Sequence, residues 1–155
     1  MYYLRRFDPW RSPLCTCPPK YSLQPYTGCS HRCLYCYATA YIGLRDSTPK
    51  REFVKRLLSD IRRANPSLPV SMSNSSDPYP PLEASARLTR KALELILSRG
   101  FRVIIVTKSD LVLRDLDLIA GAPVTVSLTI TTLDDSLARR MEPGAPPPSR
   151  RLDAV

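Results

Sequence analysis

Two hydrophobic periods alternate along this chain. Short apolar, β-branched runs are each followed by a stretch whose apolar residues recur at helical spacing. Tyr21–Pro25 reads as a first strand. Phe53, Leu57, Leu58 and Ile61 then share one face of a helix. Ser47 or Thr48 can cap that helix, Pro49 suits its first turn, and Asn65-Pro66 stops it. Leu68–Ser73 reads as a second strand, and Ser73–Glu83 as a polar, Pro-rich loop. Ser85–Arg99 reads as a helix with Leu88, Ala92, Leu95 and Ile96 on its buried side, ended by Gly100. Phe101–Val106 is the clearest strand. A short helix over Asp110–Ile119 turns Leu111, Leu113 (or Arg114), Leu118 and Ile119 toward the core. Val124–Thr129 is a fourth strand and Leu133–Met141 another short helix. Glu142–Pro148 is a rigid loop, and a further helix begins near Arg150–Val155.

Strands alternating with helices predict repeated βα units on a parallel sheet, the α/β class. About four units are present, too few to close an eight-stranded barrel. The expected architecture is therefore a partial (βα) barrel. Residues 1–20 form an extended, basic and Pro-rich lead-in, and residues 21–155 form the domain. Ligands bind at the C-terminal ends of parallel strands. The segments after the four strands should then converge on one rim: the loop after Pro25, Ser73–Tyr79, Thr107-Lys108-Ser109, and Ser127-Leu128-Thr129. The chain stops as a new helix starts, which reads as the N-terminal part of a longer protein or a truncated relative.

Composition narrows the setting. A chain of 155 residues is long enough for one domain with a real core. No apolar run approaches the ~20 residues of a membrane span. Met1–Arg6 does not read as a signal peptide, so the expected compartment is the cytoplasm, where thiols stay reduced. The net charge of +9 comes mostly from arginine and would suit a nucleic-acid substrate; genome composition or general solubility is the plainer reading. The 16 prolines against 5 glycines suggest rigid loops.

The candidate chemistry lies in Cys29-Ser30-His31-Arg32-Cys33-Leu34-Tyr35-Cys36, a C-x3-C-x2-C run. Three thiolates this close can face one inorganic centre. A structural zinc site normally takes four ligands, and His31 would have to supply the fourth. A [4Fe–4S] cluster held by three cysteines instead keeps one iron open for a small molecule. With 5 cysteines and no secretory signal, a disulfide framework is disfavoured. Cys15 and Cys17 sit in the Pro-rich lead-in and read as inert or structural. His31 reads as a solvent-side or supporting residue.

The cysteine run resembles the cluster loop of the radical S-adenosylmethionine enzymes. The wider segment Tyr26–Ala38 is similar to the spore photoproduct lyase-like (DNA repair photolyase-like) branch. So are Ser76–Glu83, Thr107-Lys108-Ser109, Leu133-Asp134-Asp135 and Glu142–Pro148. The resemblance covers roughly residues 12–155. It implies a [4Fe–4S] cluster on Cys29, Cys33 and Cys36, with S-adenosyl-L-methionine on the open iron. It further implies Tyr35 beside the adenine, Ser73, Ser76 and Asp77 in the segment that meets the amino group, Lys108 on the carboxylate, and Ser127 near the polar end. Thr107 and Ser109 are weaker candidates. Asp77 before Pro78 could instead cap a turn, and Asp134 and Asp135 suit a helix N-terminus.

The implied function is reductive cleavage of S-adenosylmethionine to a 5′-deoxyadenosyl radical, with an external electron donor and lyase-like chemistry. The departure from the branch is the absence of later βα units, which a second chain could supply. Spore photoproduct lyases use a later cysteine as hydrogen-atom donor, and none follows Cys36 here. The rival classes are a zinc or iron–sulfur module that binds nucleic acid without catalysis, and a degenerate fragment.

Overall fold

The structure, a computed structural model, describes residues 3–7, 16–72 and 74–155. Its strands are β1 (Arg5–Arg6), β2 (Tyr21–Leu23), β3 (Tyr26–Thr27), β4 (Thr48–Pro49), β5 (Val70–Met72), β6 (Val103–Thr107) and β7 (Val124–Leu128). Its helices are α1 (Thr39–Ile42), α2 (Phe53–Ile61), α3 (Glu83–Ala86), α4 (Leu88–Leu97), α5 (Leu116–Ile119), α6 (Asp135–Met141) and α7 (Pro148–Leu152), with a 3-10 segment at Asp110–Asp115.

The four long-range strands are parallel in the order β2-β5-β6-β7, with β1 added antiparallel to β2. Tyr21 pairs with Val70, Val70 with Val103, and Val103 with Val124, so the strands start level and their C-terminal ends share one rim. This is the α/β partial barrel that the βα order predicts.

Alternation along the strands gives the sheet two different faces. Tyr21, Leu23, Val70, Met72, Val103 and Ile105 point to one face, where they join Phe53, Leu57, Ile61, Ala92, Leu93 and Ile96 in a single buried core. Helices α2 and α4 supply that cover because their apolar residues recur every three or four positions. The opposite face carries Ser22, Ser71, Ile104, Val106, Thr125 and Ser127. Asn74 bridges it, donating to the Ser22 hydroxyl (2.7 Å) and the Ser71 carbonyl (3.1 Å).

Three local differences from the predicted elements have clear causes. Thr48-Pro49 does not open a helix; it pairs with Tyr26-Thr27 as an antiparallel strand, and Lys50 N–H donates to Pro25 O (3.1 Å). Helix α2 begins only at Phe53, and Leu58 is only partly buried. The helix predicted over Ser85–Arg99 is broken at Arg87, which takes the left-handed conformation (φ 51°). The buried Glu83 carboxylate accepts Thr89 N–H (2.9 Å) and Arg90 N–H (3.2 Å), so it caps α4 from outside the helix. Leu93 and Thr89 then join Ala92 and Ile96 on the buried face, while Leu88 and Leu95 pack at its border. Over Asp110–Asp115 the tighter 3-10 winding buries Val112 and leaves Leu113 exposed. The fully buried Asp115 carboxylate sets that register: Tyr79 Oη donates to it (3.0 Å), as do Arg90 (3.1 Å) and Arg114 (2.8 Å). Among the described residues no helix is long and apolar enough to cross a membrane.

Candidate functional site

The small β3–β4 sheet flanks the cysteine loop and fixes its start. Gly28 sits at φ +77°, and a side chain there would overlap the Asp46 carbonyl and stand 2.8 Å from the Arg45 carbonyl oxygen. Only glycine allows that approach, which lets Cys29 N–H donate to Arg45 O (3.0 Å). Ser30 and Ser47 exchange hydrogen bonds, each backbone N–H donating to the other's hydroxyl (3.0 and 2.9 Å). Arg32 is left-handed (φ 48°) and grips Asp46 with two bonds of 3.1 and 2.8 Å. Cys36 N–H then donates to Cys33 O (3.1 Å), closing a turn that brings the second and third cysteines together.

Cys29, Cys33 and Cys36 are partly exposed and line one pocket of about 220 Å³ at the C-terminal rim of the sheet. Tyr35, Ser76, Asp77 and Lys108 line the same pocket. Burial pushes the Cys29 and Cys33 thiols up, and Lys108 opposes the shift at Cys33. A ligand thiolate therefore needs the positive charge of a metal centre beside it. Among the described residues no three His, Cys, Asp or Glu side chains are drawn around one point as a single-ion site requires. The three sulfur atoms are instead spread around the pocket.

His31 is buried rather than solvent-side. Its Nδ1 lies 3.3 Å from Asp77 Oδ2, and its buried Nε2 has no hydrogen-bond partner among the described residues. Asp77 is a junction of three segments. Its Oδ1 accepts Tyr79 N–H (2.8 Å) and the Thr107 hydroxyl (2.6 Å), and its Oδ2 accepts Lys108 N–H (2.8 Å). Burial alone would raise this carboxyl; the His31 charge and the hydrogen bonds from His31, Thr107 and Lys108 outweigh it and hold it below the usual range.

A second carboxylate lies behind two pocket residues, Tyr35 and Lys108. Glu142 is fully buried and accepts hydrogen bonds from the Tyr35 hydroxyl and from Thr131 Oγ1 (2.9 Å). It pairs with Arg151 Nη2 (2.6 Å), also fully buried, and lies 3.8 Å from Lys108 Nζ. Lys108 Nζ also stands 5.7 Å from the centre of the Tyr35 ring. Burial would raise the Glu142 carboxyl, but Tyr35, Arg151 and Thr131 hold it low, and burial with the Glu142 bond pushes the Tyr35 phenol up.

The structure thus gathers Cys29, Cys33, Cys36, Tyr35, Ser76, Asp77 and Lys108 around one pocket. The Ser76 hydroxyl is 3.0 Å from the Gln24 amide and reaches back to the Tyr26 carbonyl (3.4 Å). Ser127 lies exposed on the uncovered sheet face of β7 and does not line the pocket. Ser73 and Cys15 lie outside the described residues, and Cys17 is exposed. Thr107 and Ser109 are buried: the Thr107 hydroxyl accepts Ser109 N–H (3.0 Å) and the Ser109 hydroxyl caps the 3-10 segment through Leu111 N–H (3.3 Å). Asp134 caps α6, accepting Ser136 and Leu137 N–H, and Asp135 accepts from Ser149. Tyr37 and Tyr41 are exposed, their ring centres 6.3 Å apart. The role of Glu142 was not read from the sequence; its one signal there is a lone carboxylate opening a Pro-rich run that ends near a basic helix.

Comparison with known proteins identifies the family of the chain. Residues 23–155 match the Radical SAM superfamily. An uncharacterised protein of Methanocaldococcus jannaschii is 36% identical over 140 residues, covering 88% of this chain and 54% of its own length. An uncharacterised protein of Mycobacterium tuberculosis is 32% identical over 153 residues, covering 89% and 45%. The chain spans about half the length of the relatives it matches. Its fold is similar to that of a mutant spore photoproduct lyase with bound AdoMet and dinucleoside spore photoproduct (TM-score 0.65, 20% identity, 90% of this chain and 42% of that one). The chain belongs to the radical SAM superfamily.

Proposed function

We propose that this member of the radical SAM superfamily holds a [4Fe–4S] cluster on Cys29, Cys33 and Cys36 and binds S-adenosylmethionine in the adjoining pocket. The observation that carries the reading is that the three thiols and the Tyr35 ring of the cysteine loop line a single pocket at the strand rim with Lys108 from a separate segment. A cluster held by these residues would supply one-electron chemistry for reductive cleavage of the bound S-adenosylmethionine.

The side chains divide the remaining work. Lys108 presents its ammonium to the cofactor carboxylate as a point charge. Tyr35, half-exposed, offers a ring for the adenine to lie against. Ser76, and Ser73 three residues before it in the sequence, would meet the amino group. Asp77 is spent on His31 and on the Lys108 backbone, so it acts by holding the loops that carry the ligands. Ser127, on the uncovered face, would meet the polar end of a cofactor that extends along β7.

An external electron donor is required. The spore photoproduct lyase likeness and the basic charge support a nucleic-acid substrate and lyase-like chemistry. A cytoplasmic setting fits the reduced thiols. Further βα units, from this protein or a second chain, would cover the exposed sheet face.

The test is low-temperature EPR on anaerobically reconstituted, dithionite-reduced protein, with and without S-adenosylmethionine. A reduced-cluster signal that changes on adding the cofactor is the expected result. A signal indifferent to the cofactor would overturn the cofactor site, and no cluster would overturn the enzyme reading for this chain.

A further inference from the structure

The C-terminal segment touches the cysteine loop at several points, and each contact falls between cysteine positions. Leu34 N–H donates to Met141 O (2.9 Å). The Tyr35 hydroxyl donates to Glu142. Gly144 N–H donates to His31 O (3.0 Å). Gly144 seats so closely that a side chain there would overlap the Ser30 carbonyl oxygen. The segment is itself anchored: Arg151 Nε donates to Pro146 O (2.7 Å), its Nη1 donates to Thr129 O (3.0 Å), and its Nη2 pairs with Glu142.

We propose that residues 141–151 form a strap that positions the cysteine loop, with Glu142 as its post and Gly144 as its seat. The inference rests on the iron–sulfur reading above. Cys33 and Cys36 lie on a turn of four residues, and Leu34 and Tyr35 are the two residues between them. Without the strap, the backbone between these ligands keeps, among the described residues, the Cys36–Cys33 turn bond and would swing with the α1 segment. Glu142 is a positioning residue: it reaches the ligands through Tyr35 and the adjoining backbone. A loop free to swing releases iron faster, because each ligand that leaves must find its place again.

The experiment measures iron release to a chelator from anaerobically reconstituted full chain. It compares wild type, Tyr35→Phe, Gly144→Ala and a control, Gly121→Ala, whose positive φ strains the backbone locally but where an added side chain meets nothing within 4 Å and lies outside the strap. Amide hydrogen exchange at Leu34 in the cluster-free proteins is a second readout, and thermal unfolding shows that each variant is folded. The expected result is iron release roughly tenfold faster for Tyr35→Phe and Gly144→Ala, the scale of one hydrogen bond to a charged acceptor. Leu34 exchange should rise to a similar degree and Gly121→Ala should behave as wild type. Glu142→Gln, which keeps an oxygen for Tyr35, should retain more iron than Glu142→Ala. Wild-type release and wild-type Leu34 exchange in both variants would overturn the strap and leave the iron–sulfur reading standing. A wild-type protein that holds no iron, with Leu34 exchange unchanged in the variants, would overturn both.

Discussion

Replacing Asp77 with asparagine keeps the shape of the side chain and removes one acceptor. In the wild type Oδ1 accepts from Tyr79 N–H and Thr107, while Oδ2 accepts Lys108 N–H and faces His31. An amide has a single oxygen. Turned either way, its NH₂ group meets a backbone N–H that can only donate, Tyr79 in one orientation and Lys108 in the other. One buried N–H left unsatisfied costs about 1–3 kcal/mol, and exchanging a charged for a neutral acceptor at the surviving bonds costs about 1 kcal/mol more. The sum, about 3 kcal/mol, lies at the lower end of what breaking a buried ion pair costs. For a chain of this length that is a drop of roughly 6–12 °C in Tm. The assay is thermal unfolding of cluster-free protein at pH 7, followed by circular dichroism. Asp77→Ala should be no more than slightly worse than Asp77→Asn, since the isosteric amide preserves little. The gap from wild type should also close in acid. The carboxyl is held below its ordinary value of 3.8, so its contribution is full above that value and is lost as pH falls through the native pKa. An Asn variant within about 2 °C of wild type at pH 7 would refute the assignment of Asp77 as the junction of these segments.

Alanine at any of Cys29, Cys33 or Cys36 should abolish cluster binding, read as iron and sulfide content after anaerobic reconstitution; full wild-type iron in any one of them would remove that residue from the ligand set. Gly28→Ala should cost about 1–3 kcal/mol through overlap with the Asp46 carbonyl, beyond the ~1 kcal/mol expected of Gly100→Ala, which shares a positive φ but has open space around it. Equal losses at the two glycines, measured by denaturant unfolding, would show that close approach at Gly28 does not matter. Burial, with Arg5 nearby, lowers the Lys50 ammonium from 10.5 to about 8. The unfolded chain therefore binds more protons between these values, and Lys50 adds stability as pH rises from about 8 to 10.5. Relative to Lys50→Met, wild type should gain in Tm across that window, and parallel curves would refute the shift.

What the sequence made legible was local. The C-x3-C-x2-C run and the four parallel strands with their intervening helices follow from neighbours in the chain. Asp134 as a helix cap is readable for the same reason. What escaped was set by distant partners. Thr48-Pro49 carries the marks of a helix start, yet pairing with Tyr26-Thr27 overrides them. The break at Arg87 depends on where the Glu83 carboxylate lies, and periodicity does not report that. Strands of two residues, such as Arg5–Arg6, are too short to show any alternation. Glu142 was visible as part of a motif, but its tie to Tyr35 spans 107 positions and has no local signature.

That separation has a consequence for synthesis. A ribosome adding ~5–20 residues per second needs roughly 5–20 s to travel from Tyr35 to Glu142. Throughout that interval the three thiols are already made while the segment that braces them is not. Iron delivered to the nascent chain would meet a loose cysteine loop, so maturation of the site belongs after translation has passed Arg151. Arrest of synthesis before that residue leaves a chain with Cys29, Cys33 and Cys36 but without the segment that touches their loop.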